Sequence, residues 1–387
     1  MIQLPSYIGP MAFGLKMGVI LPGMDIVDKV YEAVHRCSED GLLADGDIIC
    51  ITESVVAKAQ NNYITTDDIG REVAEKLNLS PTSRVAVVFP IASRNRFSMI
   101  LKGIAKAVPQ GEVMVQMSFP HDEVGNEVIR PEIVDALGKE LITLKDLDGN
   151  ACTHPITKVN YIQLYQDTIQ GTGAKPVIFL CNNPQRVADY QPDGVIAADI
   201  HTRAHTKAAV QKVIPNCIAL DEICTQGEAY SEWGVLGSNM SSGDKLKLAP
   251  RDGQQVVRQL QSRIKEALGL DVQVLIYGDG AYRDPTSGIY ELADPKAAFA
   301  ATDGLNRLRE GVKYKLLADQ YFHDQGKSAE EIEAIFAERA KGPIPDDAIE
   351  REGTSPRSME DILASLADLV SGSADAGTPV VLIKGFL

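Results

Sequence analysis

Ser371-Gly372-Ser373-Ala374-Asp375-Ala376-Gly377-Thr378-Pro379-Val380-Val381-Leu382-Ile383-Lys384-Gly385 is the stretch whose reading decides the fold. Before it, Ile362, Leu363, Leu366, Leu369 and Val370 recur at helical spacing. Its second half, Val380 to Ile383, is an unbroken apolar run, as expected of a strand covered on both faces. A helix that feeds such a strand belongs to a layered α/β unit. The linker between them reads in two ways. Small residues let backbone amides approach a ligand closely and cradle an anion. The same residues serve equally as a plain helix cap.

The same pattern recurs upstream. Val272 to Tyr277 reads as a buried strand behind an amphipathic helix over 253–268 (Val256, Val257, Leu260, Ile264, Leu268). Asp47 to Thr52 is another strand, entered by the Asp45-Gly46 turn and preceded by a helix from Asp25 to His35. Residues 66–79 predict a further helix with Thr66 as N-cap. From Arg84 onward, strands at 85–89, 113–117, 177–181 and 194–198 alternate with helices at 97–108 and near 203–213. Beyond 295 the chain reads as charged and helical to about 340, and a Pro/Gly/Asp-rich linker spans 342–347. The expected fold class is mixed α/β. A discontinuous core (1–85, 225–300 and 355–387) is interrupted by an inserted α/β domain at 86–224 and a helical insertion at 300–354.

Bulk properties narrow the function classes. The chain has 387 residues, 44% of them hydrophobic and 24% charged, which suits a globular protein of two or three domains. A net charge of −15 disfavours nonspecific binding to nucleic acid or anionic membrane. The six cysteines have no CxxC spacing and read as reduced thiols, and no apolar run approaches membrane-spanning length. A cytoplasmic location is expected.

Several segments can carry chemistry. No Gly-x-x-x-x-Gly-Lys-Ser/Thr loop and no strand-linked Gly-x-Gly-x-x-Gly occurs, so a nucleotide site here is neither a P-loop nor a dinucleotide fingerprint. Asp279 sits between Gly278 and Gly280 at the end of a buried strand, a placement that suits a divalent cation touching phosphate. Arg283 is a candidate to neutralise a transferring phosphate. The alternative is an ordinary strand-to-turn junction. Asn239, in Gly234-Val235-Leu236-Gly237-Ser238-Asn239, can grip a base or ribose, and Lys58, just past a strand, can reach phosphate; both residue types also occur in plain turns and solvated surfaces. Arg94 and Arg96 precede a helix and suit recognition of a substrate carboxylate or phosphate, or else are solvated. Asp122 and Glu123 read as part of a polar loop. Asp199, His201 and His205 are a weaker metal set, with no third committed ligand for the two imidazoles.

Four of these segments, in order, resemble the coenzyme F-420-0:γ-glutamyl ligase family. They are Gly46-Asp47 to Lys58-Ala59, Gly234 to Asn239, Leu246 to Ile264 with Val274 to Arg283, and Leu369 to Gly385. The resemblance implies a GTP-dependent ligase that uses Mg²⁺ or Mn²⁺ and adds L-glutamate to an acceptor carboxylate through an acyl phosphate. It implies a homodimer as well. Asp279 and Arg283 become the expected catalytic pair. Lys58, Asn239 and the loop residues Ser371, Gly372, Ser373, Ala374, Asp375 and Gly377 become expected nucleotide contacts. The chain also departs from the family pattern. The first metal aspartate of the family's Gly-Val-Asp falls on Leu236, the hydroxyl after its second aspartate on Gly280, and the serine before its lysine on Ala57. Asp244, with Asp279, is the expected metal pair; Glu228 and Asp284 are other substitutes for the lost ligand. Two other functions stay open: glutamyl ligation to another acceptor such as folate, and a non-catalytic nucleotide or small-molecule binder.

Overall fold

The computed structural model describes residues 7–147, 152–280, 282–283, 285–309, 313–339, 357–371 and 377–387. The chain opens with β1 (Met11–Leu15), α1 (Ile26–Glu39), β2 (Ile48–Thr52), α2 (Glu53–Ala59) and α3 (Thr66–Lys76). Then follow β3 (Arg84–Val88), α4 (Phe97–Lys106), β4 (Glu112–Met117), α5 (Tyr161–Gln170), β5 (Lys175–Cys181), β6 (Gly194–Ala197), α6 (Arg203–Gln211) and β7 (Cys217–Ala219). The last elements are α7 (Gly253–Leu268), β8 (Gln273–Tyr277), β9 (Ala298–Ala301), α8 (Met359–Ser371) and β10 (Val380–Lys384). The mixed α/β class expected from sequence is what the chain adopts.

One sheet runs β1-β10-β2-β8-β9, with β2 and β8 parallel and the other pairs antiparallel. Its strands read as continuous apolar runs because helices cover both faces. Ile49, Ile51, Val274, Ile276, Val380 and Leu382 pack against α1 and α7. Their sequence neighbours Ile48, Cys50, Leu275, Tyr277, Val381 and Ile383 pack against α8 on the opposite face. Each such fully buried side chain contributes about 1.5–3 kcal/mol, so the alternation fixes the register strongly. The Lys384 ammonium, itself buried, is bonded to buried Asp47 and to the Leu42 carbonyl, tying β10 to the loop before β2.

The other large sheet runs from the edge strand Leu141–Thr143 through β5-β4-β3-β6-β7, the last five parallel. In chain order those five sit third-second-first-fourth-fifth, a doubly wound arrangement whose order reverses between β3 and β6. Val85, Val87, Val113, Val115, Ile178 and Ile196 pack with α3, α4 and α5. Ala86, Val88, Met114, Phe179 and Val195 pack with α6 on the other face. Helices α3 and α4 cross very closely: a Cβ added at Gly103 would lie 2.6 Å from Ile69 Cβ.

Two expectations from sequence fail here: the N-cap of α3 is Thr65, whose hydroxyl accepts from Asp68 N at 3.2 Å, rather than Thr66, and the stretch after 295 does not open as helix. Residues from 295 were expected to be helical, but Ala298–Ala301 forms β9 along β8. Three of its four residues are alanines, whose helix propensity is overridden by pairing at a sheet edge. Helices do follow at Tyr314–Asp319 and Ala329–Arg339, and the linker expected at 342–347 lies outside the described residues. All six cysteines are buried, and none is joined to another in a disulfide. Among the described residues, no helix is long and apolar enough to cross a membrane.

Candidate functional site

The site forms where β8 ends. Gly278, Asp279 and Gly280 leave the sheet with their amides held in sequence: Gly278 N donates to the Ala297 carbonyl at 2.8 Å, and Asp279 N donates to Asp294 Oδ2 at 2.9 Å. Gly280 N donates to Asp368 Oδ2 at 2.8 Å. Two carboxylates thus clamp the turn through its backbone. A Cβ at position 278 would lie 2.4 Å from Asp294 Oδ2 and 2.7 Å from the Phe299 ring, so only glycine fits.

Four carboxylates gather at this turn: Glu53 from α2, Asp279, Asp294, and Asp368 from α8. Arg96 Nη1 donates to Asp294 Oδ1 at 2.6 Å and its Nη2 donates to Asp279 Oδ2. Lys247 Nζ donates to Glu53 Oε2 at 2.6 Å. Burial, then repulsion from Asp294, pushes the Asp279 carboxyl up to about 7 despite the neighbouring guanidinium. Burial likewise raises Glu53, although Lys247 opposes the shift. The carboxylates hold Arg96 above its ordinary value against its own burial, which works to lower it.

Two clefts open on the cluster. The first, of about 590 Å³, brings together Lys58, Asn239, Asp279, Ser371 and Gly377, residues far apart in sequence that were singled out individually. Tyr277 and Thr378 line it as well, and their buried hydroxyls have no hydrogen-bond partner among the described residues. The second cleft, of about 650 Å³, is lined by Arg94, Asn95 and Arg96 after β3, by Val124 and Asn126, and by Tyr161 at the start of α5. It lies by the carboxyl ends of β3 and β4, one strand to the side of the β3–β6 reversal. Arg96 and Asp279 line both clefts.

Other expected site residues lie elsewhere. Asp244 lines neither cleft; it is exposed and accepts bonds from Lys102 at 2.6 Å and Lys106 at 3.3 Å, which suits ion pairing rather than metal ligation. Arg283 is exposed on the hairpin of Tyr282–Arg283 with Tyr290–Glu291, and its Nε donates to the Gly288 carbonyl at 3.3 Å. Glu228 is exposed and lines a separate cavity. Gly372, Ser373, Ala374, Asp375 and Asp284 lie outside the described residues. Of the two arginines expected to bind a substrate anion, Arg94 is exposed and Arg96 is already committed to two protein carboxylates.

Asp122 and Glu123, read as a polar loop, have structural work. Asp122 is buried and accepts from Ala92 N, Val124 N, Asn126 N and Asn126 Nδ2. Glu123 accepts from the amides of Ile200, His201 and Thr202 at 2.5, 3.0 and 2.9 Å, so the anion cradle before α6 holds the protein's own carboxylate. His201 Nε2 is 2.6 Å from the Leu292 carbonyl, and among the described residues no three His, Cys, Asp or Glu side chains are grouped as a metal site.

A family model described as F420-0:Gamma-glutamyl ligase matches residues 14–385. The chain belongs to that family. A comparison with curated proteins finds no match. The family is one of ligases, which supports an enzyme, and its description implies substrates of the glutamate and F420-0 type. Leu236, the position at which the resemblance implied an aspartate, is 4% exposed and packed in the core with Leu246 and Leu248. No carboxylate can be offered from that position. Glu53, Asp294 and Asp368 are the acids that surround Asp279 instead, and their spacing across the chain left no local signal for them.

Proposed function

We propose that the protein is a GTP- and divalent-metal-dependent ligase that joins the amine of L-glutamate to an acceptor carboxylate of the coenzyme F420-0 type. The observation that carries this reading is that Asp279 and Arg96 line two clefts at once. One cleft offers phosphate-binding groups and the other an exposed arginine for a carboxylate. The acceptor carboxylate oxygen attacks the γ-phosphorus of GTP, GDP leaves, and an acyl phosphate forms. The glutamate amine then attacks the acyl carbon, the amide bond forms, and inorganic phosphate departs with the bonding pair. Such chemistry needs placement and charge neutralisation more than a protein nucleophile.

Within this reading Lys58 pairs with the triphosphate as a point charge, and Asn239 with the Tyr277 and Thr378 hydroxyls supplies neutral hydrogen bonds. Ser371 and Gly377 line the same cleft and contact the same ligand. Arg94 holds the acceptor. The oxygen-rich donor set suits Mg²⁺ or Mn²⁺, with Asp279 the first ligand; Oδ1 of Asp279 accepts no hydrogen bond among the described residues. A bound divalent ion would offset the charge of triphosphate and carboxylates together. A cytoplasmic homodimer is part of the proposal.

Purified protein with GTP, Mg²⁺, L-glutamate and coenzyme F420-0 tests it. Mass spectrometry should find the acceptor heavier by one glutamyl residue, with one phosphate released per amide. Absence of nucleotide binding by calorimetry in the presence of metal overturns the reading. Core-buried Leu236 favours one second reading, a nucleotide-binding homologue without catalysis, which gives GTP affinity and no amide. An amide on a folate but not on F420-0 identifies a ligase for another acceptor. Light scattering at the mass of two chains checks the dimer.

A further inference from the structure

The second cleft has two walls that come from different loops. One is the segment from Ile91 to Arg96 after β3; the other holds Val124 and Asn126 after β4. Asp122 does not line the cleft, yet its buried carboxylate joins the two walls. Its Oδ2 accepts from Ala92 N at 2.6 Å and from Asn126 Nδ2 at 2.9 Å. Its Oδ1 accepts from Asn126 N at 2.8 Å and from Val124 N at 3.1 Å. The first wall is fixed again from α5, where the buried Tyr165 hydroxyl accepts from Ser93 N at 3.0 Å and donates to the Ile91 carbonyl. The same helix presents Tyr161 to the cleft. Three cleft-lining residues, Ala92, Val124 and Asn126, thus hang on one carboxylate.

We infer that Asp122 is a positioning residue for the acceptor: its ionised carboxylate sets the spacing of the two walls between which the acceptor binds. The inference rests on the reading of this cleft as the acceptor site. Each oxygen already takes two N–H donors, so a proton on either must turn a donor away. None of these bonds comes from a cation. Burial pushes the Asp122 carboxyl up to about 6, against the bonds from Ala92, Asn126 and Val124. Tyr161 and Tyr165 of α5 feel its charge, and Arg94 acts on Tyr161. Of its chain neighbours, His121 pairs through its backbone with Glu127, and Glu123 is turned to the amides of 200–202. The walls are therefore tied above about pH 6 and released below it. Because the folded value lies above that of an ordinary aspartate, protonation by itself favours the folded state. The release is local, not an unfolding.

Calorimetric titration of the full-length protein with coenzyme F420-0, and separately with GTP and Mg²⁺, tests it. Asp122→Asn keeps the shape but puts an amide donor where an acceptor oxygen stood. Its dissociation constant for F420-0 should rise about ten-fold at about pH 7.5, while that for GTP stays within about two-fold of wild type. Wild-type affinity for F420-0 should fall about ten-fold between about pH 7 and about pH 5, and the variant should show no such dependence. Unchanged F420-0 affinity in Asp122→Asn overturns the inference, as does an equal loss for F420-0 and GTP. Arg94→Ala separates the two readings: if it weakens F420-0 binding and Asp122→Asn does not, the inference alone fails. If wild type binds no F420-0, the acceptor reading falls, and amide hydrogen exchange at 91–96 and 122–126 decides on the tie. Exchange that quickens below about pH 6, relative to the intrinsic rate, upholds it, and a flat profile overturns it. The same profile carries the test if Asp122→Asn does not fold, as judged by circular dichroism.

Discussion

At Asp279 three further carboxylates, Glu53, Asp294 and Asp368, press on one side chain, and Arg96 and Lys247 answer them from two directions. Lys58 takes no part in that balance, and among the described residues no ion pair engages it. Its charge remains available to a ligand in the first cleft. Lys58→Ala should lower kcat/KM by roughly 10²–10³, the cost of losing one preorganised charge on a phosphate. Denaturant unfolding of the same variant should stay within about 0.5 kcal/mol of wild type, because no packed or paired group is lost. A comparable loss of stability would mean that the lysine supports the fold instead. Single residues were only partly legible in the sequence. Asp279 was visible at the end of a buried strand and Asn239 after a glycine-rich turn, whereas Lys58 was read as lying just past a strand and in fact sits in the last turn of α2. Glu53, Asp294 and Asp368 were not, since they meet only once α2, α8 and the loop before β9 have docked.

Among the elements, β2, β8 and β10 were readable because both of their faces are buried, which leaves an uninterrupted apolar run. Strand β9 was misread because alanines say little about pairing at a sheet edge. The doubly wound order of β3 to β7 leaves no local mark at all, since crossovers are decided by packing. Two elements carry predictions. Gly103→Ala puts a methyl group 2.6 Å from Ile69 Cβ at the α3–α4 crossing, and should destabilise the protein by about 1–3 kcal/mol in chemical denaturation. An unchanged midpoint would mean that the helices slide apart freely. Lys384→Met strands the buried Asp47 carboxylate beside β10 and should cost about 3–5 kcal/mol. Adding Asp47→Asn should recover part of that loss, because the unpaired charge goes with it.

For the whole molecule, the two sheets share one working region without sharing a strand. The five-stranded sheet supplies Asp279 and much of the first cleft; the six-stranded one supplies Arg94, Arg96 and much of the second. A ligand bridging that region holds both units together. GTP with Mg²⁺ at about one hundred times its dissociation constant should stabilise the native state by about 2.7 kcal/mol, read as a rise in melting temperature. An unchanged melting curve at saturating nucleotide would separate the cleft from the fold.

Strand β10 lies between β1 and β2, although it is made long after both. On the ribosome those two strands emerge early and cannot complete their sheet, because the slot between them waits for residues 380–384. The doubly wound sheet, complete by Ala219, has no such wait and can form while synthesis continues. Arg96 would then be in place before Asp279 and Asp294, the two aspartates it meets. A nascent chain halted before Val380 would expose two unpaired strand edges, which are natural sites for chaperone capture or aggregation.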